Sequence, residues 1–136
     1  MLRPETKARA RALQLLYAWD MTGRPSLKAV VAQVAVLAGP PPQPDRGAEL
    51  AEHAITRAPE FDQRVTRAAQ NWRFERVGIV ERNLLRLALA ELAQGVTPPR
   101  VVIDEAVKLA QWFAGPKAPA FVNGVLDSIA RELGLL

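Results

Sequence analysis

An all-α fold, a bundle of about seven helices, is what this sequence predicts, and three observations carry the prediction. Hydrophobic residues make up 49% of the 136 residues, mostly as Val, Ile, Leu and Ala, while aromatics contribute only 6%. The alternating Thr, Val and Tyr runs that strands favour are missing. Apolar residues recur instead at intervals of three and four, the period of a helix with one buried face. Most glycines and prolines fall between these periodic runs, where they mark the stops and starts.

The first helix spans Pro4 to Thr22, with Leu13, Leu16, Tyr17 and Met21 at helical spacing, and Gly23 and Pro25 stop it. Ser26 caps the second, where Leu27, Val30, Val31, Val34 and Leu37 form a face so apolar that the segment is expected to be almost wholly buried up to Gly39. The run from Gly39 to Pro44 cannot continue a helix, because proline lacks the N–H donor and restricts its predecessor, so it reads as a connector. Asp45 caps a third helix reaching Arg57, and Pro59 opens a fourth that passes Phe61, Val65 and Ala68 to Trp72. A fifth, from about Val77 to Gln94, is the most periodic, with Val80, Leu84, Leu87, Leu89 and Leu92, and Gly95 ends it.

Pro98 and Pro99 suit the first turn of a sixth helix reaching Phe113, and Gly115-Pro116 separates it from a seventh over Pro119 to Leu133. Asn123-Gly124 reads locally as a turn, yet Phe121, Val122, Val125, Leu126 and Ile129 flank it in helical register. Helix is the better reading, since glycine costs only about 1 kcal/mol relative to alanine there and permits close approach of another helix. Neither an internal repeat nor a second domain is visible.

Composition excludes several functions. Eighteen Lys and Arg stand against 14 Asp and Glu, a net charge of +4 that favours an anionic partner without identifying one. The absence of cysteine removes disulfides, thiolate metal sites and cysteine nucleophiles, and suits a reducing cytosol. Arg3, Glu5, Lys7, Arg9 and Arg11 stand where a signal peptide would need an apolar core, and no apolar run approaches a membrane span, so a cytoplasmic protein with no membrane association is expected. His53 is the sole histidine and sits beside Glu49 and Glu52 in helical register, which reads as a surface residue and not a metal set. Asp104 is placed to bridge Lys108 four residues on. Ser26 and Ser128 lack a nucleophile setting and no glycine-rich phosphate loop exists, so neither catalysis nor a cofactor is expected.

Two constellations bear on binding. Arg3, Lys7 and Arg11 recur every four residues on the first helix, Gln14 continues the stripe and Arg9 lies beside it. Like charges at that spacing repel by a few tenths of a kcal/mol per pair and are disfavoured at the positive end of a helix. Either a polyanion supplies the counter-charge, or the face is solvated and partly neutralised by Glu5 and by carboxylates from elsewhere in the fold. The second constellation, Lys108, Trp112, Phe113, Lys117 and Phe121, mixes cations with rings, as surfaces for single-stranded nucleic acid do. Helical spacing favours a core role for Trp112 and Phe113, and less so for Phe121, which follows the Gly-Pro loop.

Three stretches resemble the NusB family. Ala8 to Tyr17, ARARALQLLY, is similar to its arginine-rich first helix with a terminal Gln-x-Leu-Tyr element. Trp72 to Leu92, WRFERVGIVERNLLRLALAEL, resembles its long central helix and the turn before it. PPRVVIDEAVKLAQWF and FVNGVLDSIARE resemble its two last helices at the expected spacing. The resemblance covers the chain except for Ser26 to Arg46, and it implies a single seven-helix domain over 1–136 in two small helical subdomains, about 1–58 and 59–136.

The resemblance also implies binding of boxA single-stranded RNA together with NusE, a small-subunit ribosomal protein, in an RNA polymerase antitermination complex that acts notably on ribosomal RNA operons. Carried over residue by residue, it gives Lys7, Arg9, Arg11, Gln14, Phe121 and Asn123 as RNA contacts, and Tyr17 and Glu81 on the face that meets NusE. Arg76 and Arg86 lie near these surfaces or act as structural salt-bridge partners. Lys7 and alternating alanines stand in place of a denser arginine run, and positive charge near the last two helices has moved to Lys108 and Lys117, which adds Lys117 to the RNA set. Whether the free protein is a monomer or a homodimer stays open. A competing reading is a NusB-like module in another context, such as the amino-terminal domain of a ribosomal RNA cytosine methyltransferase. That enzyme needs about 200 further residues with glycine-rich loops and a cysteine nucleophile, neither of which is in this sequence. Another is a helical scaffold that binds protein alone, with its basic first helix merely solvated.

Overall fold

The predicted helices form in the expected order, and all but the fourth lie close to their expected limits. In a computed structural model that describes residues 2–70 and 77–136, the order is α1 (Pro4–Met21), α2 (Leu27–Ala38), α3 (Arg46–Thr56), α4 (Ala58–Ala68), α5 (Ile79–Gln94), α6 (Pro99–Phe113) and α7 (Ala118–Glu132). No strand occurs among the described residues, and none of their helices is long and apolar enough to cross a membrane. Trp72, expected to end the fourth helix, lies outside the described residues; α4 closes at Ala68, where the Ala69 N–H donates to the Val65 carbonyl.

The caps follow the local chemistry. Ser26 Oγ accepts from the Ala29 N–H at 3.2 Å and Asp45 Oδ1 from the Ala48 N–H at 3.1 Å, so each satisfies a donor that its helix leaves unpaired. Gly95 ends α5 in the left-handed region at φ 70°, where a side chain would be strained. Proline occupies the first turn of α1, α4, α6 and α7, where its missing N–H costs nothing.

Buried apolar residues from all seven helices join one core. Its axis is α5, which packs against α1, α3, α4, α6 and α7 and is buried without interruption from Asn83 to Leu92. A helix enclosed on all sides must be apolar all round, and the run LLRLALAEL is so except for Arg86 and Glu91, which are paired internally.

Two expectations are corrected. α2 is not buried: only Val30 is enclosed, while Val36 and Leu37 are 82% and 94% exposed. The helix leans on α1 and touches α3 only slightly, and apolar composition cannot supply a partner that the topology does not bring. Nor does Gly124 admit a neighbouring helix, since no heavy atom lies within 4 Å of where its Cβ would be. The close approach occurs at Gly47, where a Cβ would stand 2.7 Å from Arg11 Cγ and 3.0 Å from the Ala8 carbonyl oxygen, so α3 crosses α1 there against the Arg11 stem with no room for a side chain at position 47.

Candidate nucleic-acid and partner interface

Lys7, Arg11 and Gln14 lie three and four residues apart on α1 and so share one face. Lys7 is exposed and has no ion-pair partner among the described residues. Arg11 is half-buried and folds onto the residue that caps α3, with Nε 2.8 Å from Asp45 Oδ1 and Nη2 2.6 Å from Oδ2. This two-pronged bond raises the Arg11 pKa and, with the Ala48 N–H, holds the Asp45 carboxyl below its ordinary value. The like-charge repulsion expected along the stripe is therefore relieved inside the fold. Gln14 is exposed.

Arg9 requires a correction. Two residues past Lys7 it points away from that face, and only 7% of it is exposed. Its Nε and Nη2 each donate to Glu91 at 2.8 Å, and its Nη1 donates to Glu105 Oε1 at 3.0 Å. The Thr6 hydroxyl donates to the same Glu105 oxygen at 2.7 Å. Arg9 is thus a strut joining α1 to α5 and α6, with no donor face turned to solvent for a phosphate. Lys108 also departs from expectation, pairing with Glu105 at 3.1 Å and not with Asp104, which is exposed. Burial pushes the Glu105 carboxyl up, but the bonds from Thr6 and Lys108 and the charges of Lys108 and Arg9 outweigh it and keep it ionised.

The aromatic residues exchange roles relative to the sequence reading. Phe121 is 6% exposed and sits in the core, in phase with Val125 and Ile129, so its face is not open for stacking. Trp112 and Phe113 are 45% and 53% exposed, with ring centroids 6.3 Å apart and planes at 88°, the edge-to-face arrangement. They occupy the last turn of α6, which projects past the core. Asn123 is exposed on α7, and Lys117, just before that helix, is exposed with no ion-pair partner among the described residues.

An open groove of about 530 Å³ connects α1, the start of α5 and the end of α6. Arg11, Gln14 and Tyr17 of α1, Val80 of α5 and Phe113 of α6 line it, over a floor that includes Ala10 and Leu13. Tyr17 is exposed. Glu81, next to Val80, is half-buried in the first turn of α5, where the helix dipole favours an anion, and its carboxylate lies against Gly78. The groove therefore brings two of the residues expected at RNA, Arg11 and Gln14, together with Tyr17, which is expected on the partner face. Sequence reasoning missed Val80 and Phe113 as its lining.

Arg86 is a structural partner. Fully buried, it bonds Asp62 through Nε and Nη2 at 2.7 Å each, and through Nη1 it reaches Asp20 Oδ2 and Asn83 Oδ1 at 2.9 Å. Asp20 also accepts from Arg82 and Asn83. Arg76 lies outside the described residues.

A family model described as the NusB family matches residues 6–131. A transcription antitermination protein NusB from Solibacter usitatus (strain Ellin6076) is 42% identical over 130 residues, spanning 93% of this chain and 88% of that protein. Among solved structures, that of antitermination factors NusB and NusE in complex with dsRNA superposes with a TM-score of 0.81 at 30% identity, covering 97% of this chain and 99% of the other. The solution structure of NusB from Aquifex aeolicus superposes with a TM-score of 0.81 at 31% identity, covering 96% of this chain and 89% of the other.

Proposed function

The chain belongs to the NusB family, and from that premise we propose that it binds boxA single-stranded RNA together with NusE, within an RNA polymerase antitermination complex acting on ribosomal RNA operons. The observation that supports this reading is the continuity of one surface. The stripe that begins at Lys7 runs into the groove, which its Arg11 and Gln14 line together with Tyr17, Val80 and Phe113, so RNA and a protein partner can meet along a shared seam. Lys7 and Lys117 supply cations that no carboxylate among the described residues pairs with, and Gln14 and Asn123 offer exposed amides that can read base edges. Arg11 contributes beside Asp45 with part of its charge already spent. Arg9 and Phe121 act from inside, the first by fixing α1 and the second by anchoring α7.

Anisotropy of a labelled boxA RNA, titrated with the protein with and without NusE at two salt concentrations, tests the reading. Binding should be sequence-selective, strengthened by NusE and weaker at higher salt. Joint substitution Lys7→Ala and Lys117→Ala should weaken binding and reduce the slope of log affinity against log salt by about 0.7 for each phosphate that is no longer neutralised. An unchanged affinity and slope, with the fold intact, would remove both lysines from the interface.

A protein-only scaffold is the second reading, and one observation favours it: Arg9 and Arg11 are already neutralised by Glu91, Glu105 and Asp45. NusE binding without RNA selectivity would establish it. Glu81 is assigned to the NusE face in either case, so Glu81→Lys should weaken NusE binding by roughly 10-fold while leaving RNA binding by the protein alone unchanged. Calorimetric titration with NusE checks this, and an indifferent heterodimer takes Glu81 out of the interface.

A further inference from the structure

We infer that Trp112 is a stacking platform for an unpaired RNA base, set between Lys108 and Lys117. The inference rests on the RNA-binding reading above and assigns a base-contacting residue to that surface. A tryptophan that is 45% exposed leaves much of the largest apolar side chain in water, and burying such a ring is strongly favourable, so its exposure marks a surface awaiting a partner. Its surroundings select the partner. Lys108 precedes Trp112 by one turn on the same face of α6, and Lys117 follows five residues later, past the Gly115 turn.

α6 itself carries two acids, Asp104 and Glu105. Glu105 is buried and bonded to Thr6, Arg9 and Lys108. Asp104 is eight residues back along α6, about 12 Å along the axis. The Glu105 bonds hold Thr6 and Arg9 of α1 against α6 about two turns before Trp112. A wide ring with a cation before and after it in the chain suits a base flanked by phosphates, with Lys117 free of ion pairs among the described residues and Lys108 sharing its charge with Glu105, whereas a protein partner would need acids to meet those lysines. Phe113, perpendicular to Trp112, lines the groove together with Tyr17.

The test uses the full chain with NusE and labelled boxA RNA, together with a set of RNAs in which one nucleotide at a time is made abasic. Trp112→Ala should weaken RNA binding about 5- to 150-fold, with Trp112→Phe retaining most of the affinity, because stacking needs a ring. The salt slope should stay as in the unsubstituted protein, since no charge is removed. At one RNA position the abasic substitution and Trp112→Ala should fail to add, which identifies the stacked base. Trp112 lies outside the buried core, so the helical circular-dichroism signal should be kept and the melting temperature should fall by only a few degrees.

If the unsubstituted protein binds RNA and Trp112→Ala binds it equally well, the platform is overturned while the RNA-binding function stands. If Trp112→Ala spares RNA and weakens NusE binding, the ring belongs to the protein interface and the inference is overturned. If the unsubstituted protein shows no RNA binding, the functional reading falls and takes this inference with it.

Discussion

Replacing Arg86 by alanine should lower the unfolding free energy by about 3–5 kcal/mol, the loss that follows when one member of a buried ion cluster is removed and its partners stay charged. The guanidinium is fully buried among Asp20, Asp62 and Asn83 and lies 5.8 Å from the centre of the Trp19 ring, so α1, α4 and α5 all lean on it. Without it, Asp62 loses both its bonds to Arg86, while among the described residues Asp20 keeps Arg24, Arg82 and Asn83. Denaturant unfolding near neutral pH measures the loss.

Acid should then erase part of the difference. Burial pushes the Asp20 carboxyl up, but the bonds from Arg86, Asn83 and Arg82 and the charge of Arg86 outweigh it and hold the pKa at about 2, against an ordinary 3.8. A carboxyl with a depressed folded pKa contributes stability that is complete above its unfolded value and is lost as pH falls toward the folded one. For Asp20, whose side chain is only 5% exposed, the contribution is on the order of 2 kcal/mol. It disappears between about pH 4 and pH 2, so the gap between the two proteins should narrow across that window. A gap independent of pH would mean that Asp20 is not the carboxylate Arg86 supports, and a loss below about 1 kcal/mol would mean that the cluster is solvated.

How far the sequence discloses this molecule depends on whether a feature is local. Helix limits are local, and the caps Ser26 and Asp45, the prolines of the first turns and Gly95 place them almost to the residue. Burial is a property of the neighbours. The apolar composition of α2 predicts an interior helix, yet it lies at the surface, since nothing among the described residues covers Val36 and Leu37. The position of Phe121 beside a loop predicts that it faces out, whereas its phase with Val125 and Ile129 argues for the core, and phase decides. For Trp112 and Phe113 phase misleads, because α6 ends with them and a helix's last turn can outrun the elements it packs on.

The ion clusters carry a legible signal that spacing arguments overlook. Glu91 interrupts the apolar run LLRLALAEL of α5, and an acid enclosed by leucines requires a cation. Which cation answers it, 82 residues away, is settled only by the fold.

That cation is Arg9, and Arg9→Ala is the variant that separates a strut from an RNA contact. It should cost about 3–5 kcal/mol of stability, because Glu91 and Glu105 stay buried and charged while their shared partner is gone. Lys7→Ala, two residues away but exposed, should change stability by no more than about 0.5 kcal/mol. RNA binding should show the opposite pattern. At a temperature where both variants are fully folded, Lys7→Ala should lower the salt slope and Arg9→Ala should leave it unchanged, since only the first removes a charge that faces the polyanion. Adding Glu91→Gln and Glu105→Gln to Arg9→Met should recover much of the stability, because the buried charges then leave together and the volume is kept. Arg9→Ala affinity should also fail first on warming, as α1 loosens from α5 and α6 and carries Lys7 with it. If Arg9→Ala instead melted with the unsubstituted protein and bound RNA more weakly with a reduced slope, its guanidinium would be reaching phosphate directly, and the buried bonds to Glu91 and Glu105 would have to open on binding.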